Sequence, residues 1–541
     1  MAEPPTEDKV TGLCYHCRVR TTDQICFADD TSFFYDAKAV DSAKAYWQVV
    51  SDRVIREKNR AQSLATIVSS KVLELMTFVG NTFVDMPMDL NATRDVRLEM
   101  FSMPDSVKMC DGCHCFFSRN PPCHCVACMG ENYRSHYVIL MHGVLAEPFM
   151  MSYVASFLLK SYPHVFIYFP HNIAGKSLVG LELVLDMFSS EILALFEKVP
   201  DMIKLSLIGH SFGGIILRYW MMFYYRNMRG IYHTSQKPAS DWDSDGLTAT
   251  SRHLMSGRHI DIEWCNYISL ASPHAGIYEN HAAFRKLVSF MGSLSVDQLD
   301  NESVDLLVLL SKDGRDSMLQ FANIVVYGNL SGDMLVAPRT SILLPYHKVD
   351  SNRIRYFTKI AEEFPGVPQH VCELMLKFDR KDDVTPSSAS SDSDHQPEQC
   401  RDDRFQKIRS IFYSITAEKI RCSSHIIKLL HGADAELADA SEMDLIKQVF
   451  TKEDIDYFDS LLSQIVDRSP IKLMRKFSKH PKLLYSEVLL SGLWGITQHK
   501  FAVYLPTICM PHNSIVTVGD LGPWEGYTRN ILSHVSYMFV A

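Results

Sequence analysis

Six short runs govern what this chain can become: HYVILM (136–141), HVFIYF (164–169), IKLSLI (203–208), CNYISLA (265–271), ANIVVYG (322–328) and KFAVYLP (500–506). Each is rich in β-branched and aromatic residues and is apolar on both faces. A strand with one wet face alternates polar and apolar residues, whereas a parallel strand covered by helices on both sides does not. Helix-compatible stretches separate the first five runs, and that alternation predicts a mainly parallel sheet flanked by helices, an α/β fold. With 541 residues, 47% hydrophobic and 22% charged, the chain can bury such a core and carry insertions as well. Its net charge of −9 and the lack of any basic stripe argue against nucleic acid as the main partner.

Four zones follow from the pattern. Residues 1–134 hold nine of the fourteen cysteines and two predicted helices, across 43–58 and 61–79, and read as an accessory region. Residues 135–345 carry the first five strands and form the core. Residues 346–490 read as a helical insertion, with helices predicted in FQKIRSIFYSI, DLIKQVF and DYFDSLLSQIV. Within that insertion, 380–404 is rich in Ser, Asp and Pro and is expected to be disordered. Residues 491–541 return to sheet and helix, with KFAVYLP and a last helix over 525–539, and complete the core. The start, MAEPPTEDKV, has no apolar h-region, and no run of 18 apolar residues occurs, so the chain is expected to be cytoplasmic, touching membranes at most peripherally.

The third run leads straight into GHSFGG. A GxSxG window arises by accident in roughly one or two of every ten chains this long, so its surroundings must decide its meaning. Here a strand precedes Ser211 and the helix-compatible IILRYWMMFYY follows it. That is the setting of a nucleophile elbow, in which the serine sits on a tight strand-to-helix turn. Gly209 and Gly213 are then needed because side chains at those positions would clash. The backbone N–H of Phe212, opening the helix, would point towards an oxyanion. A second donor is expected from the loop after the first strand, HYVILMHGVL, where Gly143 allows close approach and Val144, or next to it Leu145, supplies the N–H.

A serine hydroxyl needs a base, and the base needs a carboxylate to fix its tautomer. Asp333 lies in a Gly-containing turn just after the fifth run. Only His512 and His534 lie beyond KFAVYLP, and His512, in MPHNSIV, is placed in a loop where such a base belongs. The chain order Ser211, Asp333, His512 is that of α/β-hydrolases.

Together, HYVILMHGVL, IGHSFGG, NYISLASPHAG, YGNLSGDMLVAPRTS and LWGITQHKFAVYLPTICMPHNSIV resemble the serine esterase, lipase-like family of α/β-hydrolases. The resemblance spreads over 135–345 and 490–541. It implies an α/β-hydrolase fold, the triad Ser211, Asp333 and His512, and cleavage of carboxylic esters, lipid esters in particular, with no cofactor for catalysis. It also favours His512 over His534, since Pro511-His512-Asn513 matches the family's histidine segment. Ser272-Pro273-His274 is expected to be a substrate-pocket or structural element. A protein acyl-thioesterase using the same triad, and a non-catalytic zinc-stabilised adaptor on a hydrolase fold, are the alternatives.

The cysteine-rich N-terminal region has no counterpart in that resemblance. CDGCHCFFSRNPPCHCVAC supplies Cys110, Cys113, Cys123 and Cys128 as candidate ligands of a structural zinc. Reduced thiols or lipidated cysteines are the other readings.

Overall fold

The computed structural model describes residues 135–144, 146, 148–173, 177, 181–196, 199, 202–234, 260–277, 304–333, 335–384, 398–423, 441–506, 511–516 and 525–541, with short strands at 13–14, 19–20, 107–109 and 115–118. Strands β1 (Leu13–Cys14) and β2 (Val19–Arg20) form a separate antiparallel pair. The others, β3 (Val107–Met109), β4 (Cys115–Ser118), β5 (Ser135–Met141), β6 (Val165–Tyr168), β7 (Met202–His210), β8 (Asp261–Leu270), β9 (Asn323–Asn329), β10 (Gln369–His370) and β11 (His499–Val503), make one nine-stranded sheet. Its order is β10-β11-β9-β8-β7-β5-β6-β4-β3. The six strands from β11 to β6 are parallel, and β10, β4 and β3 extend the edges antiparallel.

Strand β5 shows why the sequence runs were apolar throughout. Tyr137, Ile139 and Met141 face one apolar cluster, and Val138 and Leu140 face another. On the first side lie helix α2 (Leu181–Phe196) and helix α3 (Phe212–Thr234), which starts directly after Ser211. On the second side lie helix α1 (Ser152–Ser161) and the final helix Glu525–Met538. All six predicted runs are strands, within a few residues at each end. The antiparallel edge strands were not foreseen: two or three residues, as in β3 and β10, are too few to show a period.

Between β9 and β11 the chain folds mostly into helices, five of them at 398–422, 442–449, 452–468, 471–479 and 481–496. They share one continuous apolar cluster with α3: Phe412, Leu462, Tyr485 and Leu489 belong to the same core as Phe212 and Trp220. Buried hydrogen bonds fasten them, with Ser423 Oγ accepting from the Val304 amide at 3.0 Å and Glu487 accepting from the Tyr346 and His347 amides at 2.7 and 3.0 Å. Both ends of the tract 380–404, expected to be disordered, are helical, and its residues 385–397 lie outside the described residues. Helix Val371–Val384 enters it from one side and Glu398–Cys422 from the other. In the second of these the side chains of Arg401 and Asp467 pair at 2.5 Å, tying that end to the neighbouring helix 452–468. The predicted helices at 43–58 and 61–79 and the cysteines 110, 113, 123 and 128 lie outside the described residues. Among the described residues no helix is long and apolar enough to cross a membrane.

Candidate active site

Strand β7 ends at His210, and the chain turns at Ser211 with φ 53°, a left-handed conformation that costs a non-glycine residue about 1 kcal/mol or more. Three contacts hold it there. The Ser211 amide donates to the Leu270 carbonyl at 2.8 Å, and its carbonyl accepts from the Gly214 amide at 3.2 Å. Gly213 lies so close to the preceding strand-end loop that a Cβ would collide with the carbonyl oxygens of Met141 and His142. Ala271, beside the elbow, is also left-handed, at φ 50°, with its amide donating to the Tyr327 carbonyl at 2.8 Å. Ser211 thus stands, almost fully buried, on a tight turn between β7 and α3.

The loop after β5 packs directly on the serine. A Cβ at Gly143 would sit 2.9 Å from Ser211 Cβ and 3.5 Å from its Oγ, so only glycine leaves space beside the hydroxyl. Val144 follows in a turn, half-buried, and Phe212 is the first residue of α3, where helix amides converge. Leu145 lies outside the described residues.

Asp333 and His512 meet although 179 residues separate them: His512 Nδ1 lies 2.9 Å from Asp333 Oδ2. Asp333 is completely enclosed, and its carboxylate also accepts from Asn329 Nδ2 at 3.0 Å and from the amides of Leu335 and Val336 at 3.0 and 2.9 Å. Burial pushes the carboxyl up. The facing imidazole and these donors outweigh it and hold Asp333 below the ordinary carboxylate range. An ionised acceptor at Oδ2 requires the proton on His512 Nδ1, which leaves Nε2 as the ring's free base.

His512 packs against His210, the residue before the serine. Their rings lie 4.8 Å apart, and His210 Nε2 donates to the His512 carbonyl at 2.9 Å. Burial, and next the neighbouring His512, push His210 down to about 3, so it is neutral. His142 is likewise pushed down to about 4 by burial, while its Nδ1 lies 2.9 Å from the Gly143 carbonyl. Among the described residues no group of His, Cys, Asp and Glu is arranged to hold a metal ion.

The other histidines singled out in the sequence lie elsewhere. His274 is buried against α3: Arg218 Nη1 donates to its Nδ1 at 3.4 Å, and its Nε2 then donates to Ser269 Oγ at 2.7 Å. Burial, with Arg218 beside it, pushes His274 well below its ordinary value. Both ring nitrogens of His274 are thus engaged within the protein. His534 sits in the final helix 2.8 Å from the Tyr327 hydroxyl and against the Phe501 ring. Two polar partners went unread in the sequence: Asn329, at the end of β9, and His210, inside the elbow motif itself. Only the spacing of Asn329 four residues before Asp333 hinted at the first, and nothing in one dimension pairs His210 with residue 512.

No curated protein matches the chain. Residues 131–343, from ahead of β5 to beyond Asp333, match the family described as "Putative serine esterase", so over the stretch that carries Ser211 and Asp333 the chain is similar to serine esterases.

Proposed function

We propose that the protein cleaves carboxylic esters, lipid acyl esters in particular, through an acyl-enzyme formed on Ser211. The observation that carries this reading is the hydrogen bond between His512 and Asp333, two residues 179 positions apart, at the end of the sheet where Ser211 stands on a strained turn. In this scheme His512 Nε2 removes the hydroxyl proton as Oγ attacks the acyl carbon. Asp333 keeps the imidazole in the needed tautomer and stabilises its charged form. The oxyanion is met by the Phe212 amide at the helix start and by an amide of the loop at Gly143, that of Val144 or its neighbour Leu145. His512 returns the proton to the departing alcohol, then takes one from water, which releases the acid.

Labelling with a fluorophosphonate probe tests this. Wild type is expected to react and Ser211→Ala to stay unlabelled, with turnover of a lipid ester panel falling about 10⁴-fold or more in the variant. Wild-type protein that neither labels nor hydrolyses any ester would favour a non-catalytic adaptor instead.

A further inference from the structure

We propose that His210 is a positioning residue, tethering the backbone of His512 so that the imidazole stays in register with the Ser211 hydroxyl. The inference rests on the reading of Ser211, His512 and Asp333 given above. A carbonyl oxygen only accepts, so the 2.9 Å contact from His210 Nε2 to the His512 carbonyl fixes the His210 proton on Nε2. Its Nδ1 is then an acceptor, buried and without a partner among the described residues, and it faces the loop at Gly143, where a Cβ would lie 3.4 Å away. The ring is thus wedged between the oxyanion-side loop and the His512 segment, and it belongs to the residue directly before the nucleophile.

The need for such a tether follows from where His512 comes from. It lies outside the sheet, in the single turn Pro511–Ser514. The bond from its Nδ1 to Asp333 fixes one ring atom but leaves the ring free to swing about that axis. A second anchor on its backbone removes the swing, and Thr528 Oγ1, donating to the Ser514 carbonyl at 2.7 Å, pins the far side of the same turn. His210 also suits the step in which His512 becomes cationic, because the ring beside it is neutral and adds no like charge.

Two substitutions separate tether from packing: His210→Gln keeps an N–H that reaches the same carbonyl, and His210→Phe keeps the ring without the donor. In the full-length chain with a chromogenic acyl ester, His210→Phe is expected to lower kcat about 10- to 100-fold with KM within about twofold, since misplacing a reacting group by about 1 Å costs that much. His210→Gln is expected to return kcat to within about fivefold of wild type. A phenylalanine variant that turns over like wild type overturns the proposal, as does a glutamine variant as slow as phenylalanine at an equal melting temperature. If His210→Phe does not fold, His210→Met is read in its place. The downfield proton resonance of the His512 Nδ1–H···Asp333 bond gives a readout independent of turnover. It should be sharp in wild type and His210→Gln and lost in His210→Phe, and its persistence in the latter overturns the tether even if the ester reading itself fails.

Discussion

The two ends of the parallel sheet use the same strands for opposite purposes. Near the N-terminal ends, His136, Ser206, Asn266 and Asn323 form a buried polar row across β5, β7, β8 and β9, and residues 538–541 dock onto it. Asn266 there meets all of its capacity. Its Nδ2 donates to Ser206 Oγ at 2.8 Å and to the Val540 carbonyl at 2.7 Å, while its Oδ1 accepts from Asn323 at 3.0 Å and from the Val540 amide at 2.9 Å. At the C-terminal ends, Ser211 and Ala271 are left-handed. Buried ring nitrogens with no partner among the described residues occur at both ends, His142 Nε2 and His210 Nδ1 at this one and His136 Nδ1 in the row. Backbone strain is a cost that a fold retains where a site needs it. One end holds the structure together; the other is held by it.

Paired substitutions break this contrast if it is wrong. Ser211→Gly should abolish turnover, about 10⁴-fold or more, while raising stability by about 0.5–1 kcal/mol, because glycine accepts a positive φ at no steric cost. Asn266→Ala should do the reverse. It removes four buried hydrogen bonds and should cost about 2–4 kcal/mol, with kcat within about threefold of wild type. Urea unfolding and ester turnover on both variants check this. Two variants that lose stability and activity together would show that the ends are not separable.

Acid exposes both ends at once. His136 and His210 are pushed down to about 3 and His142 to about 4, burial being the largest cause in each, against 6.5 for an exposed histidine. Below pH 6.5 the unfolded chain therefore binds protons that the folded chain refuses. Stability is full above that pH and falls as pH drops towards about 4, by roughly 1.4 kcal/mol per pH unit for each such histidine. Urea midpoints between pH 7 and pH 4.5 should follow this slope. His136→Gln should flatten it by one histidine's share and His142→Gln by another; a slope that neither variant changes would assign acid sensitivity to other groups.

How much of this was legible beforehand follows the range of each interaction. Strands buried on both faces announce themselves because residues 137 to 141 are apolar without a break, and the elbow does because Gly209 and Gly213 stand at fixed spacing about Ser211, Gly209 against the backbone of Gly213 and Gly214 and Gly213 against the Met141 and His142 carbonyls. Asp333 and His512 were placed by order along the chain, a topological rule that does not depend on knowing the contact. What stayed hidden is what only the third dimension creates: the His210 bond to the His512 carbonyl, the Asn329 bond to Asp333, and the row that receives residues 538–541. Helix formation inside 380–404 was hidden for a related reason, since composition weighs the loss of entropy but not the gain from packing on the helix at 452–468.

The smallest effects offer the finest comparison, because the same atom can be removed at each end. At the N-terminal end the Tyr162 hydroxyl lies 2.9 Å from both the Ser536 and Phe539 carbonyl oxygens, with its ring 5.1 Å from that of Phe539. Tyr162→Phe keeps the ring and drops the hydroxyl, and should cost about 1 kcal/mol with no change in kcat. At the C-terminal end Thr528→Val drops the hydroxyl that holds the Ser514 carbonyl and keeps the shape of the side chain. It should also cost about 1 kcal/mol, yet lower kcat several-fold, because Ser514 shares its single turn with His512. Two equal losses of stability with unequal losses of turnover would place the sensitivity in the turn that carries the base. Equal turnover in both would mean that Asp333 alone is enough to hold the imidazole, and that the backbone of this turn is free to move without consequence.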